Sequence, residues 1–414
     1  MSKRLTKVVA LVLLGVLLAI LPGLAGCGQK EIKGVEIRVG FQGDFTGPAS
    51  AAIRTVYDAF MDYLDTAEKE NLLAGAKVKV ITYDQRTDYS RYTPGYVWLQ
   101  GQGAKVMLFP SATDIQMNEK RFAANEIPAV ATTALDSLRA SEWAFFLYET
   151  HEAQTAGCFQ WIVDTWDYQG KGRNPRVGHI GYLGLVPTIA AQAGIDQFLA
   201  ANPGRIEWVG AKLAPIATST WAAEAKALLD CDYIFLTTFG AAAGTVVREA
   251  RLRGYQQAFI SHSMVFPGYW GLVESIVAHS DLYGIYHQQQ VPWCDELPFA
   301  TEWKEALVKY HPGAYAEREI RLSGYSTGWA WGICMIDVIK RAIEKVGAEN
   351  VDGPAIRDAL ATSDLDMTSQ GWGGTWIIST GNHILIHTAK TYQWSVEQGK
   401  WIAISEWMPI GPAS

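Results

Sequence analysis

Residues 324–328 read Gly-Tyr-Ser-Thr-Gly. G-x-S-x-G is the pattern of the nucleophile elbow, a sharp strand-to-helix turn that lifts a serine hydroxyl above a parallel sheet. Asp337 and His383 follow Ser326 in the acid-then-histidine order that such hydrolases use. An elbow needs a buried strand running into it, yet residues 316–323 are Ala-Glu-Arg-Glu-Ile-Arg-Leu-Ser, too charged for a central parallel strand. No H-G-G-G-type oxyanion segment is present. The expectation is therefore a loop leading into a helix, capped by Ser326 or Thr327, and no enzymatic activity. A serine hydrolase using Ser326 is carried as the alternative.

Other chemistries find less support. His383 and His387 are four apart on what reads as a strand, which separates them by about 13 Å. His151-Glu152-Ala153-Gln154-Thr155 lacks the second histidine of H-E-x-x-H. Neither a phosphate-binding G-x-x-x-x-G-K-[ST] nor a G-x-G-x-x-G occurs. Cys158, Cys231, Cys294 and Cys334 form no C-x-x-C pair. No metal and no nucleotide cofactor is expected. Disulfides among these four cysteines allow three pairings, between which the sequence does not choose, and buried free thiols are equally open.

The elements that must position any site begin after an export signal. Lys3, Arg4 and Lys7 form a basic head, and Val8 to Leu21 an uncharged apolar run too short to span a bilayer of about 30 Å comfortably. Leu24-Ala25-Gly26-Cys27 follows and resembles the bacterial lipobox, in which the cysteine is lipidated and becomes the first mature residue. Residues 1–26 are expected to be a lipoprotein signal peptide and 27–34 a tether. Loss of residues 1–26 removes three basic and no acidic residues and takes the formal charge from −7 to −10. An acidic exported chain has no electrostatic case for nucleic acid. With 414 residues, 49% hydrophobic and 19% charged, the rest is long enough for two packed domains.

Apolar runs predict strands at Val35–Gln42, Val78–Tyr83, Val106–Phe109 and Pro128–Ala131, alternating with helices. One of these helices carries Ile53, Val56, Tyr57, Phe60 and Leu64 on one face. After Phe145-Phe146-Leu147 the alternation restarts, with strands at Val177–Tyr182, Ile206–Val209, Tyr233–Thr238, Ala258–Ser261 and Leu282–His287. Helices are expected at Phe299–Tyr310, Tyr325–Val346 and Ile356–Leu360, before a tryptophan-rich β-like end. Alternating strands and helices imply an α/β fold of two Rossmann-like units with parallel sheets.

Four stretches carry a resemblance to a known family. They are residues 37–48, Ile-Arg-Val-Gly-Phe-Gln-Gly-Asp-Phe-Thr-Gly-Pro; 233–254, which opens Tyr-Ile-Phe-Leu-Thr-Thr-Phe-Gly; 324–347; and 371–383, Gly-Trp-Gly-Gly-Thr-Trp-Ile-Ile-Ser-Thr-Gly-Asn-His. In this order they resemble segments of the leucine/isoleucine/valine-type periplasmic solute-binding proteins of ABC importers, with the type I binding-protein fold. The resemblance implies two lobes joined by a three-segment hinge and closing on a small molecule. It implies lobe 1 at 35–150 plus 290–372 and lobe 2 at 151–289 plus 373–414, with crossings near Tyr148–His151, Tyr286–Gln290 and Gly371–Ile378. The partners implied are a small-molecule ligand, ABC permease and ATPase subunits, and the membrane through lipidated Cys27, placing the protein outside the cytoplasm. A ligand sensor of the same fold is the second reading.

Ligands of open α/β sheets bind beyond the C-terminal ends of strands. In the family, loop hydroxyls and backbone N–H groups there hold a carboxylate. The matching positions here are Asp44 and Phe45 after the first strand, Ser111 and Thr113 after the third, and Thr132 and Thr133 after the fourth. From the second lobe, Tyr182, Phe239, His262 and Ser263 are expected to face the cleft. Family members that bind amino acids place an acidic residue near Ser263 to meet the ammonium group, and the family's aromatic position falls near Ala52. Both are departures, and they widen the expected ligand to small carboxylates and aromatic or amide-like molecules. Trp98, Trp270 and Trp293 lie in segments that reach toward such a cleft.

Overall fold

A computed structural model describes residues 34–262, 265–266, 269–293, 302–313, 324–367, 372 and 375–411. Cys27, Ser263 and Cys294 lie outside the described residues.

The first sheet is built from β1 (Glu36–Gly43), β2 (Lys77–Asp84), β3 (Val106–Phe109), β4 (Ala129–Ala134), β5 (Ala144–Thr150) and a late strand, β13 (Ile384–Ile386). Their order is β13-β5-β4-β3-β1-β2, and every pair is parallel. The strands show why both faces are covered. Val106 and Leu108 of β3 join one core, with Phe145 and Leu147 of β5. Met107 and Phe109 join the other, with Phe146. This is the two-residue period of a strand with apolar side chains on both sides. Helices α1 (Ser50–Lys69), α8 (Glu302–Tyr310) and α9 (Tyr325–Val346) cover the first face, and α2 (Tyr92–Gly101) and α3 (Ala112–Asn125) the second.

Strands β11 (Asp364–Asp366) and β12 (Thr375–Ile377) form a small antiparallel pair, and the second large sheet runs, in spatial order, through residues 400–403, 388–395, 285–289, 258–261, 233–236, 176–182 and 207–214. Strands β6 (Arg176–Tyr182), β7 (Glu207–Ala214), β8 (Tyr233–Leu236), β9 (Ala258–Ser261) and β10 (Ile285–Gln289) are parallel. Strands β14 (Thr388–Ser395) and β15 (Lys400–Ala403) are added antiparallel at one edge. Helices α4 (His151–Thr165) and α5 (Val186–Ala201) pack on one face. Helices α6 (Ala241–Leu252) and α7 (Trp270–Ile276) pack on the other, where Trp270, Trp293, Trp394 and Trp401 form one aromatic cluster. The two-lobed α/β architecture expected from the sequence is therefore observed.

Three of its details are corrected. The third crossing lies not at 371–378 but between β13 and β14, at His387; residues 376–386 pack with the first sheet. The reason is that Ile384–Ile386 is fully buried and completes the sheet beside β5, a partner that local pattern does not reveal. Helix α9 starts at Tyr325 with Gly324 as its cap residue, so Ser326 and Thr327 are first-turn residues and cap nothing. The fourth strand does not stop at Ala131 but runs to Ala134, so Thr132 and Thr133 lie within its last residues rather than in the loop after it.

The glycines of the 324–328 motif have a packing role. Gly324, Gly328 and Gly332 recur every four residues and face α1. A Cβ on Gly328 would sit 2.1 Å from the Val56 carbonyl oxygen, and one on Gly332 2.5 Å from Tyr63 Cβ. The two helices approach this closely only because side chains are missing from that stripe.

The three crossings meet in a polar knot. Glu149 of β5 is fully enclosed and accepts from Arg139 Nη2 at 2.7 Å and His387 Nδ1 at 2.6 Å. Arg139 Nη1 reaches Asn382 Oδ1 at 3.1 Å, and Gln290 Nε2 donates to the Ile386 carbonyl at 2.7 Å.

Candidate functional site

A cavity of about 170 Å³ lies between the sheets, at the C-terminal ends of strands from both. From the first lobe its wall includes Asp44, Ser111, Thr113, Thr132 and Thr133; from the second, Leu185, Pro187, Phe239 and Tyr269. Six of the ten sequence-predicted positions thus come together: Asp44, Ser111, Thr113, Thr132, Thr133 and Phe239.

Each is placed by local chemistry. Asp44 directly follows the first strand, and its carboxylate folds into the loop behind it. It accepts from the backbone N–H of Gly47, from Ala49 N at 2.9 Å and from Thr87 Oγ1 at 2.6 Å. Thr87 and Arg86 hold φ of 53° and 57°, a left-handed conformation that non-glycine residues adopt at a cost and that clusters at functional sites. Gly47 admits no side chain, since a Cβ would lie 2.6 Å from the Arg86 carbonyl oxygen. Ser111 caps α3, accepting from Thr113 N at 3.2 Å, and lines the cavity as well. Its hydroxyl hydrogen remains free to point to a ligand oxygen. Thr133 and Thr132 end β4. Tyr148 of the first crossing meets Thr327 of α9 at 2.6 Å between hydroxyls, so the floor is tied to the hinge. Burial pushes the Tyr148 phenol well above its usual range and keeps it neutral.

The remaining predicted residues are elsewhere. Phe45 turns away and packs against Phe41 and Tyr57, at ring separations of 5.8 and 5.3 Å. Tyr182 stands behind Phe239, ring to ring at 5.2 Å, and supports it. His262 is fully buried on the α4 side of the second sheet, 5.3 Å from the His151 ring and 5.7 Å from Phe235. Of the tryptophans, Trp98 lies at the surface against Tyr83, and Trp270 and Trp293 are core.

The sequence reading missed Gln85, Thr87 and Tyr89 in the loop after β2, and Leu185 and Pro187 after β6. The strand-end rule that selected Ser111 and Thr132 applies equally to those loops. It also missed Tyr269, which donates to the Ala49 carbonyl at 3.4 Å. On the other side Tyr89 of the first lobe shares the cavity wall with Leu185 and Pro187 of the second. Ala49 and Ala52 pack against the core of the second lobe, and Ala190 joins a core of the first. The lobes therefore touch around the cavity.

The geometry does not assemble a hydrolase. Asp337 lies on the same helix as Ser326, eleven residues on and about 16 Å along the axis. It pairs with Arg341 at 2.7 Å. The His383 ring stacks on Phe145 at 4.6 Å and its Nδ1 donates to the Ser141 carbonyl at 2.7 Å. No group of His, Cys, Asp and Glu suited to a metal ion occurs among the described residues.

Comparison with known proteins agrees with this architecture. A family model described as periplasmic binding protein matches residues 36–400. A branched chain amino acid ABC transporter protein from Thermus thermophilus with bound valine superposes with a TM-score of 0.77 at 14% identity, covering 91% of this chain and 97% of that one. A fatty acid ABC transporter substrate-binding protein from Thermomonospora curvata gives 0.76 at 14% identity, over 92% and 94%. A possible leucine/isoleucine/valine-binding protein from Rhodopirellula baltica gives 0.73 at 17% identity, over 91% and 98%. At such identities the likeness is one of fold. No curated protein matches the chain significantly.

Proposed function

Because the chain belongs to the periplasmic binding protein family, we propose that it is the extracytoplasmic solute receptor of an ABC importer of the branched-chain amino-acid type. Family and fold are those of binding proteins, and the reading assigns no chemistry to it. Among the described residues no helix is long and apolar enough to cross a membrane. Lipidated Cys27 would hold the protein at the membrane beside its permease and ATPase.

The observation that carries this reading is the cavity, enclosed by loops from both lobes and tied through Tyr148 and Thr327 to the hinge. A cavity of 150 Å³ accommodates benzene, so about 170 Å³ suits a body of one ring or a short branched chain. Ile53, Val56, Leu185 and Phe239 offer such a body apolar contact. Ser111, Thr113 and Thr132 offer hydroxyls to a carboxylate or amide oxygen at one end. The ligand is thus a small carboxylate, amino acid, or aromatic or amide-like molecule. Its capture proceeds by docking on the first lobe and closure of the second, and the closed form is presented to the permease.

The test is a thermal-shift panel of leucine, valine, benzoate, phenylacetate and small amides on the purified chain. A ligand at a hundred times its Kd stabilises the native state by about 2.7 kcal/mol. Thr113→Val should weaken a responding ligand by about 10- to 100-fold, the loss of a hydrogen bond to a charged group. Ser326→Ala should leave the response unchanged. A response that survives Thr113→Val, Ser111→Ala and Thr132→Val together would place the ligand outside this cavity.

A further inference from the structure

Behind the wall that carries Ser111 and Thr113 lies a buried polar cluster that capture itself does not use. Asp114, in the first turn of α3, is fully enclosed. Its Oδ1 accepts from Gln42 Nε2 at 2.6 Å, and the same nitrogen donates to the Tyr92 carbonyl at 3.1 Å. Asn118, one turn on, donates to the Asp114 carbonyl at 3.0 Å. The cluster is short of donors: Asp114 Oδ2, Gln42 Oε1 and Asn118 Oδ1 are all buried without a partner among the described residues.

Buried acceptors without donors are costly, and a buried carboxylate facing no cation is costlier. Burial raises the Asp114 pKa well above the carboxylate range, against the opposing hydrogen bonds from Gln42 and from its own backbone N–H. The titratable groups that feel it are the phenols of Tyr92 and Tyr89 on the segment packed against α3, and Tyr92 also feels Asp44. None of these is a cation. One proton eases the shortage: it turns Oδ2 into a donor and gives one of the other two acceptors a partner. A protonated Asp114 is both acceptor and donor, and the Gln42 amide can turn its oxygen or its nitrogen toward it.

We propose that Asp114 is held as a neutral carboxylic acid and acts as a positioning residue for the cleft. It pins the first turn of α3 to Gln42 at the end of β1 and, through Gln42, to Tyr92 at the start of α2. Ser111, Thr113 and Tyr92, all cavity residues, are set by that one knot. The second half of the inference rests on the capture reading: since the knot needs its proton, capture weakens as the solution becomes alkaline.

The test compares the full chain with Asp114→Asn, which keeps the shape and supplies a permanent donor, and with Asp114→Ala. Urea unfolding is followed from pH 4 to 9. A carboxyl that is neutral when folded and titrates near 3.9 when unfolded makes the native protein lose stability as pH rises between those two values. Relative to Asp114→Asn, the unfolding constant of the natural chain should therefore grow about tenfold per pH unit from about pH 4 up to the raised native value. A protonated-carboxyl infrared band at pH 7 should vanish in Asp114→Asn. Parallel stability curves for the two proteins, or an infrared band that is the same in both, would overturn the proposal. Benzoate and leucine binding is measured on the same samples. Affinity that falls above neutral pH in the natural chain but stays level in Asp114→Asn supports the positioning role. Equal pH profiles in the two, or full affinity in Asp114→Ala, would refute it. If neither probe binds any variant, the proposed ligand class fails, while the unfolding curves still decide the state of Asp114.

Discussion

Acid should unfold the second lobe through its histidines. His151, His179, His262 and His287 are four of the chain's eight histidines, and all are buried. His287 Nδ1 meets Ser261 Oγ at 2.8 Å and its Nε2 meets Gln289 Oε1 at 3.1 Å, a pattern that one neutral tautomer satisfies. His179 Nε2 meets Thr237 Oγ1 at 2.8 Å. Neither ring nitrogen of His262 has a partner among the described residues, and its ring lies beside that of His151. Burial lowers His151 and His287 to about 3 and His179 to about 4. It lowers His262 well below its usual value, with the other three histidines adding to the effect.

The sign follows directly. These groups are neutral when folded and titrate near 6.5 when unfolded, so stability is complete above about 6.5 and falls as the unfolded state takes up protons below it. One such histidine costs about 1.4 kcal/mol at pH 5.5, and four together cost roughly 5–6 kcal/mol. A domain commonly holds only about 5–15 kcal/mol in all. Asp114, if neutral, acts in the opposite direction by about 1.4 kcal/mol per pH unit, so the histidine effect is read in the Asp114→Asn background. Urea unfolding at pH 7.5, 6.5 and 5.5 should show the full loss, and His262→Gln should reduce it by about a quarter. A loss of less than about 1.5 kcal/mol, or one untouched by His262→Gln, would mean that the native lobe takes up these protons too, and the reasoning would fail.

Two further outcomes follow from packing and charge. Gly328→Ala forces a methyl group onto the Val56 carbonyl and should lower stability by about 1–3 kcal/mol in thermal melts, with Ser326→Ala close to neutral as the control. Glu149→Gln strips Arg139 and His387 of their shared carboxylate and should cost about 3–5 kcal/mol near neutral pH. Burial alone would raise the Glu149 pKa, but the hydrogen bonds from His387 and Arg139 outweigh it and hold it below the usual value. Its contribution is therefore present above the ordinary glutamate range and lost as pH falls through the lower native value. The gap between Glu149→Gln and the natural chain should close below about pH 4 in the same urea series.

What could be read from the sequence divides along physical lines. Strands such as Val106–Phe109 are legible because a parallel strand covered on both faces is a continuous apolar run. Cavity residues such as Ser111 and Thr132 are legible because strand ends in such sheets are where ligands sit. Tyr89 and Leu185 obey the same rule and went unselected for want of a family motif to draw attention to them. Phe45 and Tyr182 show the limit of that rule: it names a loop, while the side chain's direction depends on whether an apolar neighbour claims it, as Tyr57 and Phe239 do. The place of Ile384–Ile386 in the first sheet depends on β5, more than two hundred residues earlier, and no local period carries that information. The 324–328 motif makes the same point from the other side. Read as chemistry it asks what Ser326 attacks. Read with Gly332 and with α1 in place, the residues that matter to the fold are the two glycines, spaced to let one helix lie against another, and the serine between them is incidental.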